Sequence, residues 1–145
     1  MKFKFITPNH AYYQDELMLR WEVLRKPQGL PPGSEAVPDE KECIHLLVMD
    51  HRKILGCLLF HPETETSGRL LQMAISEESR GHGFARKLLH ALEMELIKRG
   101  ILDMYVQARE DLQDFYHSLG FHYVHDEGNL GLMRKTIDAG ALKLA

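Results

Sequence analysis

Apolar and polar residues alternate over residues 2–6 (Lys-Phe-Lys-Phe-Ile), which is the pattern of a short strand with one buried face. Over residues 9–25 the period changes to that of a helix. Apolar residues recur there at spacings of three and four, and we expect them to face the core: Tyr13, Leu17, Trp21 and Leu24. Pro8 suits the start of such a helix.

The next segment, Lys26–Glu42, breaks the periodic pattern. It contains four prolines and two glycines, a density that excludes regular structure. Loops of this length without structure of their own are usually functional or disordered. The segment is also acidic, and its carboxylates lie close together in the sequence: Glu35, Asp39, Glu40 and Glu42.

The remaining chain alternates short apolar runs with two periodic segments. We predict strands at residues 43–49, 54–60, 69–76, 102–107, 121–124 and 130–137, and helices at residues 86–99 and 111–119. The first three of these strands form an antiparallel meander. The order β-α-loop-β-β-β-α-β-α-β-β predicts an α/β fold, with helices packed on a mixed sheet.

Length, charge and cysteine content exclude several classes of protein but do not identify the function. With 145 residues, the chain is expected to form a single domain, residues 1–145. The net charge of −3 argues against a general nucleic-acid binder and fits a partner that carries positive charge. No apolar stretch approaches the roughly 18 residues of a membrane span. Cys43 and Cys57 lack metal-binding spacing and indicate buried, reduced thiols, so we expect a cytoplasmic protein without a metal.

The most informative segment is Arg80–Ala85 (Arg-Gly-His-Gly-Phe-Ala), which lies between a strand and a helix. Glycines allow backbone to approach a ligand closely, and a helix start adds unpaired N–H groups that favour an anion. The dinucleotide fingerprint would need a glycine at Arg86, and no P-loop string occurs. A phosphate site of another kind is therefore expected. The alternative is a tight turn with Arg80 solvated on its rim.

A second motif follows about thirty residues later, over Asp114–Phe121. It places Tyr116 on a helix four residues before Gly120, which turns the chain into a strand. Taken alone, the pair Phe-Tyr could be core aromatics and the glycine a helix stop. Together, Arg-Gly-x-Gly-x-Ala and Phe-Tyr-x-x-x-Gly-Phe resemble the two signatures of the GNAT superfamily of acyl-CoA-dependent N-acyltransferases. The resemblance implies a mixed, mostly antiparallel central sheet flanked by helices.

The resemblance also implies where acetyl-CoA, the acyl donor, would bind. In similar enzymes the fourth strand parts from the fifth, and the pantetheine arm lies in the gap. The residues expected around the donor are Met73, Ala74, Ile75, Arg80, Gly81, His82, Gly83, Phe84, Ala85, Arg86 and Arg109. Arg109 stands where many relatives carry a cofactor-contacting asparagine. It could reach a phosphate of CoA or form an ion pair with Asp111 or Glu110.

Acyl transfer needs an attacking neutral amine, a stabilised oxyanion and a proton for the departing thiolate. Backbone N–H groups of Ala74 or Ile75 could serve the oxyanion. Tyr116 matches the general acid of the family, because a phenol is protonated at neutral pH; the alternative is a phenol that only lies near the sulfur. Gln72, the inward polar residue of its strand, cannot be a base. His45 is the titratable candidate, unless it is a satisfied core histidine.

Other bases could act through water: Glu40, Glu42 or Glu110. The expected function is acetyl transfer to a primary amine of a small molecule, peptide or protein. The alternative is a non-catalytic module that binds or senses acyl-CoA. The acidic segment Lys26–Glu42 is either a solvated connector or a flap over the pocket of a cationic amine. In similar enzymes the final strand pair often supports dimers, so the resemblance allows for a homodimer.

Overall fold

The computed structural model describes residues 1–140 and arranges them around a seven-stranded sheet. The last five residues of the expected domain lie outside the described part. The strands are β1 (Lys2–Ile6), β2 (Ile44–Asp50), β3 (Lys53–Pro62), β4 (Ser67–Ile75), β5 (Asp103–Ala108), β6 (His122–Glu127) and β7 (Leu130–Thr136). The helices are α1 (Tyr13–Leu24), α2 (Phe84–Lys98) and α3 (Gln113–Ser118). None of the helices within residues 1–140 has the length and apolar character to cross a membrane.

The sheet has the order β1-β2-β3-β4-β5-β7-β6. Its neighbours pair antiparallel except β4 and β5, which are parallel. The predicted mixed, mostly antiparallel sheet flanked by helices is therefore confirmed. The pairing of β4 with β5 runs from Ser67–Asp103 to Leu70–Val106 and ends there. Beyond Leu70 the two strands part, which opens the centre of the sheet.

A β-bulge lies at the point where the strands part. Leu59 of β3 pairs with Gln72, and the next residue, Phe60, pairs with Leu70, so Leu71 is an extra residue in β4. The extra residue changes the face to which later side chains point. Leu70 packs in the core under α2, whereas the Gln72 side chain bonds to Arg20 of α1 on the other side of the sheet.

Helices cover the two faces of the sheet unequally. The larger apolar core joins one face to α2 and α3, and α2 buries Leu88, Leu89, Leu92 and Leu96 in it, as its periodicity predicts. The smaller core lies under α1 and includes Leu19, Leu47 and Ala74.

The expected apolar stripe of α1 is wrong in register. The buried residues of this helix are Glu16, Leu19 and Arg20, and the stripe named above is only partly buried. The helix also begins at Tyr13 rather than at residue 9. Two charged side chains occupy the buried face because polar partners from the sheet and the loop surround them.

The helical spacing of Leu112, Phe115 and Leu119 predicts that all three face inward, and this prediction is wrong for two of them. Leu112 and Phe115 are 36% and 41% exposed, whereas Tyr116 is 9% exposed and packs in the larger core. The helix is short, since a single 3-10 turn at Glu110–Leu112 precedes it. The buried residue of the helix is therefore Tyr116, and Leu119, which follows the helix, is buried as expected.

Candidate functional site

The glycine loop between β4 and α2 has the backbone geometry of an anion site. Gly81 and Gly83 have φ values of +81° and +75°, a region that side chains with a Cβ rarely occupy. Gly83 is the N-cap residue of α2, and as a glycine it has no side chain that could cap the first N–H groups of the helix. Within the described chain, the backbone N–H groups of residues 81–86 have no hydrogen-bond partner. These donors at the positive end of the helix dipole favour a bound anion.

A pocket of about 370 Å³ lies between this loop and β4. Its lining includes seven of the expected donor-binding residues: Met73, Ile75, Arg80, Gly81, Gly83, Phe84 and Ala85. It also includes Val23, Ser79 and Phe115, which sequence reasoning missed. Phe115 belongs to the second motif. A prediction that placed its neighbour Tyr116 in the core would also have predicted that Phe115 points away from the core and toward the pocket.

The other expected donor-binding residues lie apart from this lining. Ala74 is buried on the α1 face, and the His82 side chain is exposed beside Phe84. Arg86 donates to the Ser118 carbonyl oxygen at 2.9 Å, which links the first turn of α2 to the end of α3. Arg109 donates to Asp111 at 3.2 Å, the ion pair that the sequence left open.

The parted strands supply backbone groups next to the pocket. Met73, Ala74 and Ile75 pair with β3 on one side, opposite Leu58, Cys57 and Gly56. On the side toward β5 the ladder ends at Leu70, so the outward N–H and C=O groups of residues 71–75 have no strand partner there among residues 1–140. This edge can hydrogen-bond an extended ligand with amide groups, in the way that a further strand would.

Tyr116 lies in the larger core, and its ring centroid is 5.2 Å from that of Phe115, which lines the pocket. Its ring packs edge-to-face on Phe121, with the ring centroids 5.7 Å apart. Its hydroxyl has no hydrogen-bond partner within residues 1–140 and is not among the fully enclosed polar atoms. Burial raises the pKa of Tyr116, which keeps the phenol protonated over a wide pH range. The side chain can therefore donate a proton, but it has no neighbour that would remove one.

His45 on β2 is buried and has both ring nitrogens engaged. Nδ1 lies 2.8 Å from a Glu16 carboxylate oxygen, and Nε2 lies 2.7 Å from the Glu40 carbonyl oxygen. Burial alone would lower the pKa of His45, but the hydrogen bond and charge of Glu16 raise it above the usual value. Both nitrogens face acceptors, so the ring carries two N–H donors and has no free lone pair for a base.

A buried polar network surrounds Arg20, whose side chain is fully enclosed. Its guanidinium donates to five acceptor atoms: Oε1 of Gln72, Oε2 of Glu16, both carboxylate oxygens of Glu40 and the carbonyl oxygen of Glu35. Burial by itself would raise the pKa of Glu40, but hydrogen bonds from Arg20, the Val37 N–H and Tyr13 lower it to about 2. Glu40 is thus an anion too stable to accept a proton readily.

The carboxylates proposed as bases do not line the pocket. Glu40 is held in the network, and Glu42 and Glu110 are exposed. Glu110 lies at a separate cleft near the β6–β7 turn, beside Asn129. Glu16, Glu40 and His45 could form a set of metal ligands by their spacing, but the Arg20 guanidinium already supplies the positive charge between the two carboxylates.

Two larger clefts, of about 610 and 790 Å³, run along the exposed side of α1. Charged side chains of both signs line them, among them Glu22, Lys53 and Glu78, and Lys53 forms an ion pair with Glu78. Of these three pockets, the smallest one combines apolar walls with the N–H groups of the glycine loop, and we assign the ligand site to it.

Comparisons with known proteins agree with this geometry. Residues 41–123 match the family model of the GNAT acetyltransferase domain. The uncharacterized N-acetyltransferase YjcF of Bacillus subtilis is 24% identical over 135 residues, which cover 93% of this chain and 91% of YjcF. A Lactobacillus plantarum protein provisionally described as an N-acetyltransferase has a similar fold, with a TM-score of 0.80 and 23% identity over 95% of this chain and 100% of that one.

A solved aminoglycoside 6'-N-acetyltransferase complexed with coenzyme A is also similar in fold, with a TM-score of 0.77. The two chains share 19% identity, and the likeness covers 95% of this chain and 98% of that one. The matched family segment runs from β2 to the first two residues of β6 and includes the glycine loop, the strand gap and Tyr116. The chain belongs to the GNAT acetyltransferase family.

Proposed function

We propose that the protein binds acetyl-CoA and transfers its acetyl group to a primary amine. The observation that carries this proposal is the run of N–H groups at residues 81–86 that have no partner in the described part of the chain, beside the gap between β4 and β5. An anion at the helix start and an extended amide chain along β4 are the two parts of CoA that such a site would hold.

The donor would bind in a single orientation, with its pyrophosphate at the glycine loop and its pantetheine arm along β4. The pyrophosphate accepts hydrogen bonds from the glycine loop, with Arg80 adding positive charge from the rim. The pantetheine amides pair with backbone groups of β4 at Met73, Ala74 and Ile75. Phe84 and Phe115 cover its apolar segments. The thioester then lies in the gap alongside this stretch of β4.

The reaction follows from the groups around the gap. A neutral amine attacks the thioester carbonyl carbon, and the carbon–oxygen double bond becomes an oxyanion that a backbone N–H of Ala74 or Ile75 stabilises. When the tetrahedral intermediate collapses, the carbon–sulfur bond breaks and the sulfur leaves with the electron pair. Tyr116 donates its hydroxyl proton to that sulfur and regains a proton from solvent. Its raised pKa keeps it in the donating form.

The amine has to lose a proton, and no carboxylate or imidazole lines the pocket within the described residues. His45 and Glu40 are committed to the network around Arg20. We therefore propose that water accepts the amine proton, either before attack or from the intermediate. The rate of acetyl transfer should then rise with pH as the neutral fraction of the amine increases.

The same lack of a base favours the alternative function, a module that binds acyl-CoA without catalysis. A binding module would use the glycine loop and the strand edge and would make no use of the Tyr116 hydroxyl. Both functions predict that acyl-CoA binds, but only the transferase predicts that an amine becomes acetylated. The acceptor in this proposal is a primary amine of a small molecule, peptide or protein. The residues that line the pocket do not favour one of these classes over the others.

Binding of the donor is tested with a matched pair of glycine variants. Gly83→Val and Gly100→Val change glycines at φ values of +75° and +76°, and the new Cβ has open space in both cases. Each variant should lose about 1–3 kcal/mol of stability through backbone strain. Gly83→Val alone should lose the thermal stabilisation by acetyl-CoA, which amounts to about 2.7 kcal/mol at 100 times Kd. Equal stabilisation of both variants would overturn the site.

Turnover is tested by following CoA release from acetyl-CoA with polyamines, aminoglycosides, amino acids and peptides. An amine that increases release above the rate in buffer, and that is recovered as its N-acetyl product, supports the enzyme. Tight binding of acetyl-CoA with no acetylated product across the panel would support the binding module and contradict the transferase.

A further inference from the structure

The long loop Lys26–Glu42 contains two single 3-10 turns and no other regular element, yet it is firmly anchored. Its backbone is fixed from inside by α1, because Arg20 donates to the Glu35 carbonyl oxygen at 2.9 Å and to both Glu40 carboxylate oxygens at 2.9 and 2.7 Å. The Glu40 carboxylate in turn accepts the Val37 N–H. The loop is therefore held in place by side-chain contacts from α1 together with hydrogen bonds within the loop, such as that from the Gly33 N–H to Glu35.

The same contacts hold β4 next to the strand gap. The Gln72 side chain accepts a hydrogen bond from Arg20 Nε and donates one to the Glu35 carbonyl oxygen at 2.9 Å. Gln72 follows the bulge at Leu71 and precedes Met73, which lines the pocket. One guanidinium thus joins the loop to the part of β4 that has lost its β5 neighbour.

The network is closed electrostatically. Arg20 and a doubly protonated His45 balance the carboxylates of Glu16 and Glu40, and all four side chains are buried or nearly so. Every donor nitrogen of Arg20 has an acceptor. A neutral, fully bonded cluster of this kind has one low-energy arrangement, so it fixes the relative position of the elements that contribute to it.

We propose that Arg20 is a positioning residue that holds residues 33–40 against β4 as the wall of the acceptor site. This inference rests on the proposed acetyl transfer. The loop bonds to Gln72 on the α1 face of β4, whereas Met73 and Ile75, which line the donor pocket, pack with the α2 core on the opposite face. The donor would therefore lie along Met73 and Ile75, and the amine would approach from the face that carries Gln72. A displaced wall would therefore impair use of the amine and leave binding of the donor intact.

The test separates the charge of Arg20 from its geometry. Arg20→Lys keeps a positive charge between Glu16 and Glu40, but an ammonium cannot reach Gln72, Glu35 and Glu40 together. In this variant, backbone amides of residues 33–40 should exchange hydrogen at least about tenfold faster, because the loop opens more often. For the amine that reacts fastest in the panel above, KM should rise about tenfold. The Kd for CoA by calorimetry should change less than about twofold.

Two further variants make the outcome decisive. Gln72→Leu releases β4 and leaves the ion pairs of Arg20 with the carboxylates intact, so it should raise the KM of the amine in the same direction. Glu93→Gln weakens another buried ion pair, with Lys135 on the opposite face of the sheet, and serves as the control for general destabilisation. It should leave the hydrogen exchange of residues 33–40, the KM for the amine and the Kd for CoA unchanged.

Each result decides between the inference and the function that supports it. Unchanged KM for the amine and unchanged loop exchange in Arg20→Lys, in a protein whose wild type is active, would overturn the positioning role alone. An equal loss of CoA affinity in Arg20→Lys would do the same, since it would place the effect on the donor side. A wild type that acetylates no amine would overturn the transferase and the positioning role together.

Discussion

The two faces of the sheet are built from different materials. The face under α2 and α3 is packed almost wholly with apolar side chains, among them Leu92 and Phe121. The face under α1 buries a cluster of ionisable groups, in which Glu16 is 1% and Arg20 0% exposed. Apolar packing is non-directional and depends on volume, whereas the charged cluster depends on a fixed set of donors and acceptors.

This difference separates two tasks in the proposed reaction. The apolar face supports the glycine loop and Tyr116, which would bind the donor and protonate the thiolate. The polar face orders a loop that contains two single 3-10 turns and no other regular element among the described residues, and this loop would shape the acceptor side. A helix periodicity is enough to build the first, but the second requires partners from α1, the loop, β2 and β4 in one place.

The largest expected effect is on the polar face. Glu16→Gln removes the charge that Arg20 and His45 share, so it leaves buried positive charge without compensation. We expect a loss of about 3–5 kcal/mol in the free energy of unfolding. Urea denaturation measures it. Glu22→Gln, an exposed change on the same helix, is the control and should stay within about 0.5 kcal/mol of wild type.

The pH dependence of stability provides a second readout for Glu16→Gln. Because the folded pKa of His45 is raised, its stabilisation is full below the unfolded pKa of about 6.5 and is lost as pH rises through the folded pKa. The variant should lack most of this decline, since Glu16 supplies the contact that raises the pKa. Parallel pH profiles of wild type and variant would contradict the assignment of His45 as a buried cation.

On the apolar face, the next effect concerns the only hydroxyl proposed for chemistry. Tyr116→Phe keeps the ring on Phe121 and should lower kcat about 10²-fold, equivalent to about 2.7 kcal/mol. Stability should hardly change, because the hydroxyl has no hydrogen-bond partner within residues 1–140. Steady-state kinetics with the fastest amine measures kcat. Tyr123→Phe on the exposed strand β6 is the control, and a normal kcat in Tyr116→Phe would reject the acid.

The smallest effect tests which side of α3 faces the donor. Phe115→Ala removes a pocket wall that is 41% exposed and should weaken CoA binding about fivefold, or roughly 1 kcal/mol. Leu112→Ala, at 36% exposure and outside the pocket lining, should leave the Kd unchanged. Calorimetry on both variants measures it. A larger loss of stability than of CoA affinity in Phe115→Ala would instead place that ring in the core.

Some of the candidate site could be anticipated from single residues. The spacing of Gly81 and Gly83 predicted a strand-to-helix turn with free N–H groups, because these features depend only on local backbone geometry. The position of Tyr116 four residues before Gly120 was readable for the same reason. Its burial was not, since the face of a short helix depends on what packs against it.

The acidic loop illustrates the limit more sharply. Its carboxylates suggested a flap that attracts a cation, but Glu35 is 5% exposed and accepts the Gly33 N–H, and Glu40 is bonded to Arg20. These two charges face the interior of the protein, whereas Asp39 and Glu42 are exposed. No spacing rule could have paired Arg20 with residues 15 to 52 positions away.

By itself the sequence determined the order of the elements, the apolar core under α2 and the glycine loop that starts this helix. These follow from periodicity and from backbone preferences that act within a few residues. Only the tertiary structure decided which face of α1 is buried, how Gln72 turns away from Leu70, and where the charges of the loop go. Those outcomes depend on hydrogen bonds between distant segments, whose free energy is realised only when the folded chain brings the partners together and excludes water.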